Sequence, residues 1–210
     1  MKQNLFIALE GIDGSGKSTQ AKLLAEKLQA EGHKVYATFE PTDGMVGSLL
    51  RSILKGSIKA DERTIAGLFL ADRLDHLLNE KNSLVKKMKE GYTVIADRYY
   101  FSSYAYHGTH MDMDWVIECN KMCAQILRPD VNIFIDVPPE TSMQRISANR
   151  HGTELYETLE NLGNVRAKYL EAFEKLKNEE HILVVDGNHP VSTLAESIWS
   201  QVHHFIKKAP

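Results

Sequence analysis

Two cysteines, Cys119 and Cys123, are all this chain offers for thiol chemistry. They sit four apart in a helical pattern, which reads as two reduced thiols on one helix face of a cytoplasmic protein rather than a disulfide framework. The histidines are equally isolated: His203 with His204, and His107 with His110, have no companions at zinc-site spacing. No apolar run approaches the ~20 residues of a membrane span. The apolar stretch near the N-terminus is too short for a signal peptide, and Glu10 interrupts it. Neither sign of charge is in excess, the formal net charge being −3. No nucleic-acid polymer is indicated as a partner, so any phosphate binding has to be local. Repeats, low-complexity tracts and linkers are absent from the 210 residues, which read as one domain over 1–210.

Apolar residues make up 43% and charged residues 25%, the proportions of a globular protein with a sizeable core. Five short β-rich runs stand out: "LFIALE" (5–10), "VYATF" (35–39), "TVIADR" (93–98), "VNIFIDV" (131–137) and "HILVVDG" (181–187). Their nearly unbroken Val, Ile and Phe content predicts strands buried on both faces. Helical patterns occupy 18–31, 46–55, 61–89, 112–127, 139–149, 156–178 and 190–208, with Gly32 and Gly91 at expected helix ends. The alternation predicts an α/β fold: a five-stranded parallel sheet between two helical layers. Ligands of such sheets bind beyond the carboxyl ends of the strands. The loops after residues 10, 39, 98, 137 and 187 are therefore the ones to inspect.

The first of these carries "GIDGSGKS", which fits G-x-x-x-x-G-K-[ST] with Gly11, Gly16, Lys17 and Ser18 in the fixed places. Glycines let successive backbone N–H groups turn inward onto phosphate oxygens, and the helix that follows adds its positive end. Lys17 is expected on the β- and γ-phosphates and Ser18 on Mg²⁺. The stretch Gly11, Ile12, Asp13, Gly14, Ser15, Gly16, Lys17, Ser18 and Thr19 is thus read as ATP-binding. A GTPase would carry a D-x-x-G switch and an N-K-x-D base reader in the right places, and neither occurs.

The other loops suit a kinase for a small phosphorylated acceptor. In "DRYYFSSYAYHG", Asp97 at a strand tip can reach Mg²⁺ and Arg98 can grip an acceptor phosphate; Ser102 and Tyr106 fall on one side of a helical turn. In "GLFLADRLD", Phe69 and Arg73 share a helix face. A ring that stacks on a base and a guanidinium on its edge is one reading; a core Phe beside a surface Arg is the other. Pro41, in "FEPTDG", fixes the backbone where an acceptor would approach, and Arg51 could add charge near the phosphates. "MQRISANRHGTELYE" reads as a lid over about 146–156, with Arg145 and Arg150 supplying positive charge.

Together, "EGIDGSGKST", "FEP", "LFLADR", "DRYYFSSYAY", "PDVNIFIDVPPE" and "VRAKYLE" resemble thymidylate kinase, a nucleoside monophosphate kinase with the P-loop NTPase three-layer α/β/α fold and a short lid. The resemblance implies γ-phosphoryl transfer from ATP to dTMP with Mg²⁺, and a cytoplasmic homodimer formed through helices such as "LFLADRL" and "VIECNKMCAQIL". It implies that Asp13 contacts the sugar 3′-hydroxyl and nearby phosphate-binding groups, that Phe69 stacks on thymine and Arg73 bonds its edge, and that Arg98 holds the acceptor phosphate. Pro41, Ser102, Tyr106 and Tyr156 would line the thymidylate pocket, with Glu157 following the lid aromatic. Arg145 would pack on adenine, beside the "DGNHP" loop, where Asp186 could equally be a cap. Some family members place an arginine directly after the P-loop acid; here that position is Gly14, which makes Arg150 the candidate lid cation. His107 stands where many members have glutamine. The residues alone leave two alternatives: a kinase for another pyrimidine monophosphate, and a P-loop ATPase or switch.

Overall fold

The computed structural model describes residues 4–149 and 155–208. β1 (Phe6–Glu10) leads through a glycine-rich loop to α1 (Lys17–Ala30) and β2 (Val35–Phe39). Three helices follow, α2 (Met45–Leu54), α3 (Glu62–Leu78) and α4 (Leu84–Lys89), before β3 (Thr93–Asp97). Next come α5 (Tyr100–His107), α6 (Met113–Ile126), β4 (Val131–Asp136), α7 (Pro139–Asn149), α8 (Leu159–Leu176), β5 (Ile182–Asp186) and α9 (Val191–Lys208). The sheet runs β2-β3-β1-β4-β5 and every pairing is parallel.

Strand side chains alternate between faces, so the central runs of β1, β3 and β4 feed two cores, whereas β2 and β5, at the sheet edges, are only partly buried rather than covered on both faces as expected. Phe6, Ala8, Val94, Ala96 and Phe134 meet the aromatic faces of α5 and α8, including Tyr100, Phe101, Tyr169 and Phe173. Leu5, Ile7, Leu9, Ile95, Ile133 and Ile135 meet Leu24, Leu28, Leu194 and Ile198 of α1 and α9. β1 lies between β3 and β4, so the connections leaving its carboxyl end and theirs diverge there and open a crevice.

Three helical expectations need correction. The stretch 61–89 is two helices: Asn79 leaves the helical conformation, and its Oδ1 accepts from the N–H groups of Lys81 and Asn82 at 3.1 and 2.8 Å. Ser83 then caps α4 by accepting from Lys86 N–H. Asn and Ser divert the backbone into local turns in this way, and the apolar spacing across the break hides it. α5 is a helix not foreseen as a whole; all its residues are buried, so it has no polar face to give a 3.6-residue period. α8 begins at Leu159 rather than 156 because Thr158 Oγ1 accepts from Asn161 N–H at 3.2 Å and caps it there.

Candidate functional site

The crevice holds a cavity of about 770 Å³, within the range of small-ligand sites. Asp13 through Thr19 line one wall. Gly16 starts α1 in a left-handed conformation (φ 98°) with open space where a Cβ would sit. Gly14 (φ 76°) is closed in: a Cβ there would lie 2.6 Å from the Ser142 carbonyl oxygen. An arginine at that position would force α7 away, which is a physical reason for the glycine. Ile12 and Gly11, expected among ATP-binding residues, do not line the cavity. Ile12 is a core side chain whose carbonyl accepts from Lys17 Nζ at 2.8 Å. The Gly11 carbonyl accepts from Arg98 at 3.2 Å.

Lys17 is buried against its own loop, and burial, then the neighbouring Arg98, pushes its pKa down to about 8. Ser18 Oγ donates to Asp97 Oδ2 at 2.5 Å, while Asp97 Oδ1 is buried with no protein partner among the described residues. A hydroxyl and a carboxylate with a spare oxygen are hard donors that suit Mg²⁺. No group of three or more His, Cys, Asp or Glu side chains placed to hold a metal ion occurs among the described residues. Most ligands of such an ion would therefore be phosphate and water oxygens, as is usual for Mg²⁺.

Arg98 also lines the cavity, against the same loop. It pairs with Asp13, and its terminal nitrogens also donate to Ser102 Oγ (3.0 Å) and Tyr106 Oη (3.1 Å). Tyr106 in turn donates to Asp13 Oδ2 at 2.8 Å. The two terminal nitrogens thus make four bonds to protein, and Nε–H has no protein acceptor among the described residues. Burial would raise the Asp13 carboxyl, but Arg98, Lys17 and Tyr106 outweigh it and hold the carboxyl below its ordinary value. Arg51 joins the cavity from α2 by holding the Pro41 carbonyl at 2.9 Å and the Thr42 carbonyl. Pro41, itself on the lining, follows a cis peptide bond from Glu40.

The base-recognition expectation divides. Phe69 lines the cavity, with its ring centroid 5.2 Å from that of His107. Arg73 does not. It is 1% exposed and ion-paired with Glu40 at 2.7 Å, and it donates to Ser103 Oγ (3.0 Å), Asn120 Oδ1 (2.5 Å) and the Tyr99 carbonyl (3.1 Å). Every nitrogen of its guanidinium is engaged with protein, which leaves none for a base edge in this conformation. Sequence spacing put Arg73 on the face of Phe69 but could not show the buried Glu40 that claims it. The side chains at that end of the cavity are Ser103 and His107. Burial, then Arg73 and His110, pushes His107 down to about 3, so its imidazole is neutral.

Tyr156 also lines the cavity; it donates to Glu62 Oε2 at 2.6 Å and meets Tyr106 edge-on at 5.7 Å. Glu157 is buried beside it. Arg145 spans the far end, donating to the Gly187 carbonyl at 2.9 Å and the Ser15 carbonyl at 3.4 Å. Asp186 accepts from Asn188 N–H at 2.8 Å in the turn that follows β5. Arg150 and residues 151–154 of the expected lid fall outside the described residues. Sequence reasoning missed Glu10 and Asp72. Glu10 was visible only as the interruption of an apolar strand; Asp72, which accepts from Thr42 N–H and Oγ–H at 2.7 and 2.6 Å, had no signal beyond being a buried acid on a helix.

The chain is similar to known proteins over most of its length. A family model described as thymidylate kinase matches residues 9–198. A probable thymidylate kinase of Pyrococcus horikoshii is 42% identical over 176 residues, covering 80% of this chain and 82% of its own. One of Methanocaldococcus jannaschii is 34% identical over 211 residues and the whole of both chains. One of Pyrococcus abyssi is 38% identical over 205 residues, 95% of this chain and 96% of its own.

Proposed function

The chain belongs to the thymidylate kinase family, a family of phosphotransferases, and from that premise we propose that it transfers the γ-phosphoryl group of ATP to dTMP, giving ADP and dTDP. The observation that carries the reading is two cationic groups on the lining of one cavity, Lys17 on the phosphate-binding loop and Arg98 beside Ser102 and Tyr106, with Phe69 on the same lining. No covalent intermediate is required, because the acceptor phosphate oxygen is already a competent nucleophile and the work lies in alignment and charge neutralisation.

The loop N–H groups and Lys17 would cradle the β- and γ-phosphates, with Thr19 at the start of α1 beside them. Asp13, Arg98, Ser102 and Tyr106 form the acceptor side, where Arg98 would orient the dTMP phosphate. Phe69 would stack on thymine, with Tyr156 covering the nucleoside and Arg145 packing on adenine. Ser18 and Asp97 are the residues that would hold Mg²⁺, which would supply charge neutralisation for the phosphates. Arg150, on the expected lid, is the candidate to complete the charge around the transferring group. We take residues 1–210 as one kinase domain and the chain as a cytoplasmic homodimer. Exposed Leu78 on α3 and Trp115 and Met122 on α6 support an interface there.

The reading is tested by ADP release with ATP and Mg²⁺, first alone and then with dTMP, dUMP, UMP, CMP and AMP. Strong dependence on dTMP is expected. Preference for another monophosphate would keep the kinase but discard the pocket, and equal release without acceptor would mean an ATPase.

The depressed Lys17 gives a second test. Without nucleotide, Lys17 loses its proton above about pH 8. Triphosphate oxygens beside it would restore the charged form. ATP binding is therefore expected to take up a proton between about pH 8 and the ordinary lysine value of 10.5, approaching one per site near about pH 9. Calorimetry in two buffers of different ionisation enthalpy reads this uptake, and Lys17→Met should abolish it.

A further inference from the structure

Arg98 is the only non-glycine residue among those described with a positive φ (76°). A left-handed turn at a residue with a Cβ persists only where its surroundings impose it, and such turns cluster at functional positions. Here β1 imposes it from two consecutive residues. The Leu9 carbonyl accepts from Arg98 N–H at 2.9 Å, and the next side chain, Glu10, accepts from Tyr99 N–H through Oε1 at 2.8 Å. The backbone is thus held on both sides of the turn.

Glu10 has 0% exposure, and its second oxygen is also engaged. Oε2 accepts from Ser102 Oγ–H at 2.6 Å and from Tyr169 Oη–H at 2.9 Å. With its proton committed to Glu10, the Ser102 hydroxyl presents a lone pair to Arg98, which donates to it at 3.0 Å. The chain carboxylate–hydroxyl–guanidinium orients Arg98 without Glu10 occupying any of its N–H groups. Burial disfavours the charged carboxylate and raises its pKa, a cost that Ser102, Arg98, Tyr99 and Tyr169 oppose.

We propose that Glu10 is a positioning residue for phosphoryl transfer: accepting on both carboxylate oxygens, it holds the left-handed turn at Arg98 and, through Ser102, aims that guanidinium at the acceptor phosphate. The inference rests on the dTMP kinase reading above. It requires a carboxylate specifically. An amide that keeps the Tyr99 bond must turn its NH₂ toward Ser102 and Tyr169, whose hydroxyls then accept from residue 10 instead of donating to it, so the Ser102 proton is released toward Tyr169 and its lone pairs are no longer reserved for Arg98.

The test compares dTMP with thymidine, which has the same base and sugar but no phosphate. Affinities of both are measured by titration calorimetry for wild type, Glu10→Gln and Tyr169→Phe, with kcat and KM for dTMP alongside. Wild type is expected to prefer dTMP strongly. In Glu10→Gln that preference should fall at least tenfold, with thymidine affinity changed less than twofold and kcat reduced. Tyr169→Phe, which removes one donor and leaves the Tyr99 bond, should lose several-fold of the preference. A folded Glu10→Gln that keeps the wild-type preference, or loses affinity for both ligands equally, overturns the proposal. Should Glu10→Gln not fold, an unchanged preference in Tyr169→Phe overturns it. Wild type binding both ligands alike would remove the kinase reading itself.

Discussion

Arg98→Ala is expected to lower kcat/KM for dTMP by about 10³-fold, the scale of an arginine that clamps a transferring phosphoryl group, while the protein stays folded. The guanidinium bridges Asp13, Ser102, Tyr106 and the Gly11 carbonyl, so its loss removes both the cation and the geometry of the acceptor side. Alanine introduces no new backbone strain at φ 76°, because arginine already bears the Cβ penalty there. Arg98→Lys should recover only part of the rate, since a lysine cannot make paired contacts with phosphate. Asp13 supplies an independent check. Its folded pKa lies below the ordinary 3.8, so its contribution to stability is present above that value and is lost as pH falls through the lower folded one. Without Arg98 the Asp13 carboxyl moves up, and acid unfolding should begin at higher pH than in wild type. Rates within a few-fold of wild type would remove Arg98 from the acceptor site.

The sheet and the phosphate loop were legible because their signals are local. Five apolar runs gave five strands within a residue or so at each end, and the loop motif sits between β1 and α1 as its spacing demands. What escaped the sequence depends on contacts between distant residues. α5 is sealed on every side and shows no period, although it carries Ser102 and Tyr106. Glu10 reads as a blemish in a strand until Tyr99, Ser102 and Tyr169 are seen to converge on it. Phe69 and Arg73 share a helix face, as four-residue spacing requires, but a face is wide enough for one side chain to line a cavity and the other to be sealed behind it.

That separation makes Arg73→Ala the sharpest test of stability. Removing Arg73 leaves Glu40 charged and 4% exposed, with His76 as its remaining close partner, and strips partners from Ser103, Asn120 and the Tyr99 carbonyl. Breaking a buried ion pair from one side costs about 3–5 kcal/mol, which for a protein of this size lowers the thermal midpoint by roughly 6–20 °C. Burial would raise the Glu40 carboxyl, but Arg73 and His76 outweigh it and hold it below the ordinary 4.5. Its stabilising effect is therefore present above that pH and lost as pH falls through the lower folded value. In Arg73→Ala burial acts almost alone, the carboxyl rises, and the variant should be least handicapped at acidic pH, where Glu40 is neutral. Removing the stranded charge as well, in Arg73→Ala with Glu40→Ala, should recover part of the loss, because an unpaired buried charge costs more than the pair is worth. An arginine whose chief task was to read the thymine edge would behave differently. Its alanine variant would raise KM for dTMP and leave the midpoint where it was, and the double variant would recover nothing.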